Sequence, residues 1–373
     1  MRNMMRITLC LILTIYMLIP IGSVVAQAAP CQPSVEIEGE RVELNGDEAV
    51  SALSEDVVVS SRIWELLFGK ERQSTTLVVG GDVFGIKLKL AHVTVAEAKG
   101  IPALSAGDII LSINGKDIKS AEQARAVISA SGGESVTIRA IHKGEPVGIE
   151  VRPTLDGGEY KLGVTLRDGV VGIGTVTFID PETGLFGGLG HGICDGDSGE
   201  PVDMECGEIT GALLGNIHKG EVGKPGELTG ILTDHTLGTV YKNCECGVFG
   251  HLDKLPEGGK AYEIGNRDEI HEGEATIIST VRSGKTAEYK IEIYDIDRSS
   301  SGSKSFRIRV KDDALKALSG GIVRGMSGSP IIQNGKLVGA VTHVMVANPT
   351  EGYGIFIENM LAAANSQLQP KAA

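Results

Sequence analysis

The chain has 373 residues, enough for two ordinary domains and a leader. Acidic residues outnumber basic ones 48 to 35, giving a formal net charge of −13, so the basic face that nucleic-acid binding needs is missing. The 51 glycines and only 4% aromatic residues favour many tight turns between short strands over long helices, and 42% hydrophobic residues suit a packed core, not disorder.

In chain order, Arg2 and Arg6 precede an apolar stretch from Ile7 to Ala26, and Ala26-Gln27-Ala28 follows with small residues. This order of charge, apolar run and small residues is that of a secretory signal. About twenty apolar residues also span a bilayer, so residues 1–30 serve as a cleaved signal or as a retained anchor. In both cases the remainder is expected outside the cytoplasm. Residues 31–74 are weakly patterned and read as a connecting region open to proteolysis. The six cysteines are Cys10, Cys31, Cys194, Cys206, Cys244 and Cys246. Outside the cytoplasm they are expected to be paired or buried. Their spacing does not match a zinc site, and no metal is expected.

From about residue 75 the pattern sharpens. Ile86-Lys87-Leu88-Lys89-Leu90 alternates apolar and basic residues, as a half-buried strand does. Ala106-Gly107-Asp108-Ile109-Ile110 runs into Asn114-Gly115, a strand entering a tight turn. Ser120 to Gln123 has the form of a capping box and opens a helix of about ten residues. Residues 135–141 and 147–151 read as closing strands. Residues 75–155 together resemble a PDZ domain. The segment Val83-Phe84-Gly85-Ile86 is the expected binding loop, its N–H groups turned to a peptide carboxylate and its strand edge open to pairing.

From 156 to 373 the chain is glycine-rich and strand-like, with a hairpin expected across residues 275–294. Short strands at this spacing suggest a barrel or sandwich. The strongest local signal is Gly325-Met326-Ser327-Gly328-Ser329-Pro330, followed by a strand and the Asn334-Gly335 turn. Flanking glycines bend the backbone sharply, expose a serine hydroxyl and let N–H groups converge on a developing oxyanion. The N–H groups of Gly325 and Ser327 are the candidates for that hole. A serine needs a base, and His191, set among small residues in Gly190-His191-Gly192-Ile193, is the best placed. His343 lies within an apolar strand and is expected to be packed. For the orienting carboxylate Asp195, Asp197, Asp312 and Asp313 all remain candidates.

A second serine turn, Gly196-Asp197-Ser198-Gly199-Glu200-Pro201, also resembles that of digestive peptidases. Ser198 lies only seven residues from His191, and Glu200 would set negative charge beside the oxyanion, so Ser327 is preferred as nucleophile. Digestive enzymes carry Asp just before the nucleophile; Met326 stands there, so activation by a new N-terminus pairing with that Asp is not expected.

The whole arrangement resembles the stage IV sporulation protein B (SpoIVB) peptidases. The resemblance rests on Gly190-His191-Gly192-Ile193, on the run from Gly320 to Ile332, and on Gly339 to Val344 and Gly352 to Ile355. It implies a mainly β chain, a PDZ domain followed by a chymotrypsin-like β-barrel peptidase domain, with His191 and Ser327 catalytic and Asp312 as the important Asp. It further implies an exported signalling peptidase, acting between mother cell and forespore, that processes itself. Its protein substrate would be a membrane-bound regulator of an intramembrane protease, whose cleavage releases a late sigma factor. No cofactor is required. The alternatives are an exported quality-control protease and a non-catalytic PDZ scaffold.

Overall fold

Strand pairing in the computed structural model closes two separate rings. The structure describes residues 34–37, 40–43, 76–196, 199–255, 259–282 and 285–366. The leader expected at residues 1–30, most of the connecting region at 31–74, and Asp197 and Ser198 lie outside the described residues. Contacts divide the chain at Glu71. In the N-terminal unit an antiparallel hairpin joins Ser34–Ile37 to Glu40–Glu43. Both rings lie in the unit from Arg72 onward.

The first ring contains β1 (Val83–Ala98), β5 (Val164–Ile179), β6 (Leu185–Gly188), β7 (Met204–His218), β8 (Glu227–Cys244) and β9 (Gly247–Leu252). Between β1 and β5 stand β2 (Ile109–Ile113), helix α1 (Ala121–Ala130), β3 (Val136–His142) and β4 (Glu145–Val151). The ring runs β1–β5–β6–β9–β8–β7 and returns to β1, every pair antiparallel. Inside it pack Phe84, Ile86, Phe186, Leu189, Ile209 and Val248. The alternation read in Ile86 to Leu90 is real: Ile86, Leu88 and Leu90 are buried and Lys87 and Lys89 between them are not.

The second ring contains β10 (Gly273–Arg282), β11 (Lys285–Tyr294), β12 (Phe306–Val310), β13 (Pro330–Gln333), β14 (Lys336–Met345) and β15 (Asn348–Phe356). It runs β10–β11–β12–β15–β14–β13 and closes on β10. Helix α2 (Asp313–Ser319) leads toward β13, and helix α3 (Ile357–Asn365) follows β15. The 275–294 hairpin forms as expected, as β10 and β11. Phe178 and Phe249 from the first ring and Ile332, Leu337, Ile355, Ile357 and Met360 from the second share one apolar cluster, which joins the barrels. Two six-stranded antiparallel barrels packed together are the chymotrypsin-like architecture, so the mainly β reading and the fold type both hold.

The expected order, PDZ at 75–155 and then the peptidase at 156–373, needs correcting. Strands β1 and β5 are each 16 residues long and serve both domains. Val83–Lys89 pairs with Gly169–Thr175 in the barrel, while Thr94–Ala98 pairs with Val164–Arg167 outside it. The outer halves join β2, β3, β4 and α1 around a separate core of Val93, Leu104, Ile113, Ala124, Val136 and Ile138. The PDZ domain is therefore inserted into the first barrel between two of its neighbouring strands, and the peptidase fold begins before it. Sequence reading missed this because a long strand shows the same period-two pattern whichever partner it meets. Local signals held: Asn114-Gly115 and Asn334-Gly335 both take positive φ, as a type I′ turn requires. Ser120 caps α1 by accepting from Gln123 N at 3.0 Å.

Candidate active site

Each of the two sequence-predicted residues stands on a turn leaving one barrel. His191 follows β6 through Leu189 and Gly190, both left-handed at φ 64° and 67°. A non-glycine residue in that region is strained and must be held by its surroundings. Leu189 is held on both sides: its side chain is buried at 5% exposure, and its N–H donates to Thr175 O at 3.2 Å. The loop beyond is clamped by Asn243, which accepts from Ile193 N at 2.8 Å and donates to Ile193 O and Val202 O at 2.9 and 3.0 Å.

Ser327 precedes β13. Its carbonyl accepts from Thr175 N at 3.0 Å, and Thr175 Oγ1 donates to Gly325 O at 2.8 Å. Thr177 Oγ1 donates to Gly328 O at 2.7 Å. Gly328 has φ 96°, and a Cβ there would meet Thr175 O and lie 2.5 Å from Leu189 N, so the serine turn and the histidine turn touch. A Cβ on Gly190 would lie 2.9 Å from Thr342 Cγ2, and the Ser327 hydroxyl donates to Thr342 O at 2.7 Å. The structure thus brings His191 and Ser327 to one seam between the barrels. The N–H groups of Gly325 and Ser327 donate to no acceptor among the described residues, whereas those of Met326, Gly328 and Ser329 are all engaged. That is the pattern expected of an oxyanion hole awaiting its ligand. Met326 is fully buried in the second barrel's core.

His191 Nδ1 donates to the carbonyl of Gly192 at 2.8 Å, which leaves Nε2 as the basic nitrogen. Burial pushes its pKa below 6.5, only partly offset by the Gly192 carbonyl. The imidazole is therefore neutral, and able to take a proton, at neutral pH.

The third expected member is not brought in. Asp312 is the N-cap of α2: Oδ1 accepts from Leu315 N at 2.9 Å and Oδ2 from Lys290 N at 3.3 Å. Both oxygens are spent on main-chain donors, so its place is a helix start on the second barrel. Asp313 is 97% exposed beside Lys316, and Asp195 accepts from Arg167 at 3.3 Å. No carboxylate among the described residues is hydrogen-bonded to His191. Its neighbour is His343, whose ring centroid lies 4.8 Å away. Sequence reading placed His343 in an apolar strand; it is half-buried on β14, and only the return of that strand beside the serine turn shows what it touches.

The peptide loop expected at Val83, Phe84, Gly85 and Ile86 is also corrected. Gly85 pairs with Ile173 on one side and Thr210 on the other, and Phe84 and Ile86 are buried. With both edges used, this strand cannot take up a peptide. The PDZ domain instead carries a groove of about 600 Å³ between α1 and the outer half of β5, lined by Ala121, Arg125, Ile128, Leu162, Gly163 and Val164. Gly163 takes φ 71°, and its carbonyl accepts from Lys99 N at 2.8 Å. Val164–Arg167 pairs only with β1 among the described residues, so its edge toward α1 is open. The apolar-Gly-apolar signal Leu162-Gly163-Val164 was legible, but it follows the helix instead of preceding it.

Cys206 is disulfide-bonded, and Cys194, Cys244 and Cys246 are free thiols. Among the described residues there is no cluster of three or more His, Cys, Asp or Glu side chains able to hold a metal, and no helix long and apolar enough to cross a membrane.

The family model described as SpoIVB peptidase S55 matches residues 158–361, and a PDZ model matches 96–141. No curated protein matches the chain. Among solved structures, the PDZ domain of an SdrC-like protein from Listeria monocytogenes is 31% identical over 21% of this chain and 88% of its own, with a TM-score of 0.19. The active form of the Rv3671c protease from M. tuberculosis is 14% identical over 54% of this chain and 78% of its own, at TM-score 0.32. A serine-to-alanine variant of the HtrA-type protease AlgW, solved with a tripeptide, is 12% identical over 53% of this chain and 56% of its own, at TM-score 0.33. The family model spans more than half of the chain and takes in both turns at the barrel seam: this protein is a serine endopeptidase of the SpoIVB peptidase S55 family, with an inserted PDZ domain.

Proposed function

We propose that Ser327 is the nucleophile and His191 the base of an exported signalling endopeptidase. The observation that carries this reading is the contact between the two turns, with the Gly325 and Ser327 N–H groups left free beside them. Substrate binding turns the Ser327 hydroxyl off Thr342 O and onto His191 Nε2. His191 takes the proton as Ser327 Oγ attacks the scissile carbonyl, and the two N–H groups receive the oxyanion. His191 then gives its proton to the leaving amine, and water hydrolyses the acyl-enzyme by the same route.

In this reading the α1–β5 groove selects the substrate by adding a peptide strand to the open edge of Val164–Arg167. Membership of the family supports the finer role: self-processing within residues 31–74, then cleavage of a membrane-bound regulator of an intramembrane protease, leading to late sigma-factor activation. The site of action would be the space between mother cell and forespore, reached through the segment at residues 1–30. The test is to express the chain in an endospore-forming host and follow its shortened forms. They vanish in Ser327→Ala, and a fluorophosphonate labels a wild-type peptide containing Ser327. Unchanged processing in Ser327→Ala, with the label on another serine such as Ser198, overturns the assignment.

A further inference from the structure

The third group of a serine-peptidase triad holds the base in one tautomer and stabilises the imidazolium that forms. Here Asp195 and Asp312, among the described residues, are engaged elsewhere and Asp313 is exposed, and what lies against His191 is a second imidazole. The rings of His191 and His343 have centroids 4.8 Å apart and planes inclined by 35°. His343 Nδ1 is buried and finds no hydrogen-bond partner, one of four such side-chain atoms among the described residues. Leaving a buried polar atom unpaired is costly, and a native structure tolerates it where the atom has another use. Burial above all, with the charges of His191 and Lys304, the titratable groups that reach it, draws the His343 pKa down to about 4. At neutral pH it is therefore an uncharged ring with one nitrogen lone pair, able to accept an N–H.

The geometry points to His343 as the positioning residue of His191, its Nδ1 accepting the His191 Nδ1–H in place of a carboxylate. This inference rests on the reading of His191 and Ser327 as base and nucleophile. In the unliganded arrangement that N–H is given to Gly192 O. When His191 turns Nε2 toward Ser327, the N–H leaves Gly192 and meets the orphaned nitrogen of the neighbouring ring. A neutral acceptor stabilises the imidazolium less than a carboxylate would, so turnover is expected to be slow, which suits an enzyme that cuts few bonds.

The deciding measurement is nitrogen NMR of the ¹⁵N-histidine-labelled wild-type protein with a peptidyl boronic acid. Adduct formation on Ser327 tests the reading beneath the inference, and absence of an adduct overturns that reading. Given the adduct, the His191 Nδ1 proton should couple to a second imidazole nitrogen, that of His343. Coupling to its own nitrogen alone overturns the role of His343. Variants give an independent check. His343→Phe keeps a ring against His191 but offers no acceptor, and kcat should fall about a hundredfold or more with KM unchanged. His343→Asn restores an acceptor oxygen and should recover at least about tenfold of that loss. A His343→Phe enzyme with wild-type kcat and an altered KM would make His343 a wall of the substrate cleft and nothing more.

Discussion

Thr175 N–H donates to Ser327 O at 3.0 Å, so the strand that forms one side of the PDZ groove also holds the nucleophile's turn. Residues 164–166 of β5 line the groove, and the same strand reaches Thr175 and Thr177 at the barrel seam. Eleven residues of strand separate Val164 from Thr175, about 36 Å at ~3.3 Å per residue. A covalent strand, paired with β1 on both sides of an irregularity at Asp168, therefore links substrate capture to the serine.

Filling the groove separates capture from chemistry. Ala121→Trp places a bulky ring at the helix wall and should reduce cleavage of the natural partner at least about tenfold, the order of effect for losing one well-packed contact. Labelling of Ser327 by a small fluorophosphonate should stay at the wild-type rate. If labelling falls in step with cleavage while thermal stability is unchanged, the groove acts on the serine through β5 and not by capture alone.

Asp312 should prove replaceable by another N-cap. Asp312→Asn keeps a side-chain oxygen for Leu315 N, and its activity should remain within a fewfold of wild type. Asp312→Ala loses the cap and should cost about 1 kcal/mol of stability, with activity retained at low temperature. Parallel melting curves and probe-labelling rates check this. A stable Asp312→Asn protein with activity reduced by orders of magnitude would restore Asp312 to the catalytic group.

Acid should weaken the protein twice over. His191 must be neutral to accept the serine proton, and burial lowers its pKa, so the acid limb of kcat/KM should lie below pH 6.5. The same two histidines bind protons more readily unfolded than folded. Their contribution to stability is complete above pH about 6.5 and is lost as pH falls toward about 4, where folded His343 protonates. Melting temperature measured from pH 8 to pH 4 should fall over this window, and His343→Phe should flatten the decline. A pH-independent melting temperature over that range would contradict the burial argument.

The residue before the nucleophile should not accept charge. Met326 is fully buried among the apolar side chains of the second barrel. Met326→Asp would bury a carboxylate there with no partner, and a loss of about 3–5 kcal/mol is expected. Met326→Leu keeps the volume and should cost less than about 1.5 kcal/mol. Denaturant midpoints of the two proteins provide the comparison.

The sequence alone determined what neighbouring residues decide among themselves. Asn114-Gly115 and Asn334-Gly335 turn because they reach positive φ at little cost, Ser120 caps its helix by accepting from a residue three positions on, and the glycines around Ser327 allow a sharply bent turn. His191 was legible because small residues surround it. Tertiary structure decided everything that depends on which strand returns beside which. Val83–Ile86 looks like an open loop until β5 and β7 occupy both of its edges, and the PDZ domain looks N-terminal until β1 and β5 are seen to cross into the barrel. Asp312 stands fifteen residues before Ser327 in the chain, yet the helix it caps fixes both its oxygens on main-chain donors. His343 reads as a packed strand residue, and only the closing of the second barrel lays its ring on His191. Local steric and hydrogen-bonding preferences act over a few residues and leave a mark in sequence; contacts between distant strands are fixed by packing and leave none at the positions that make them.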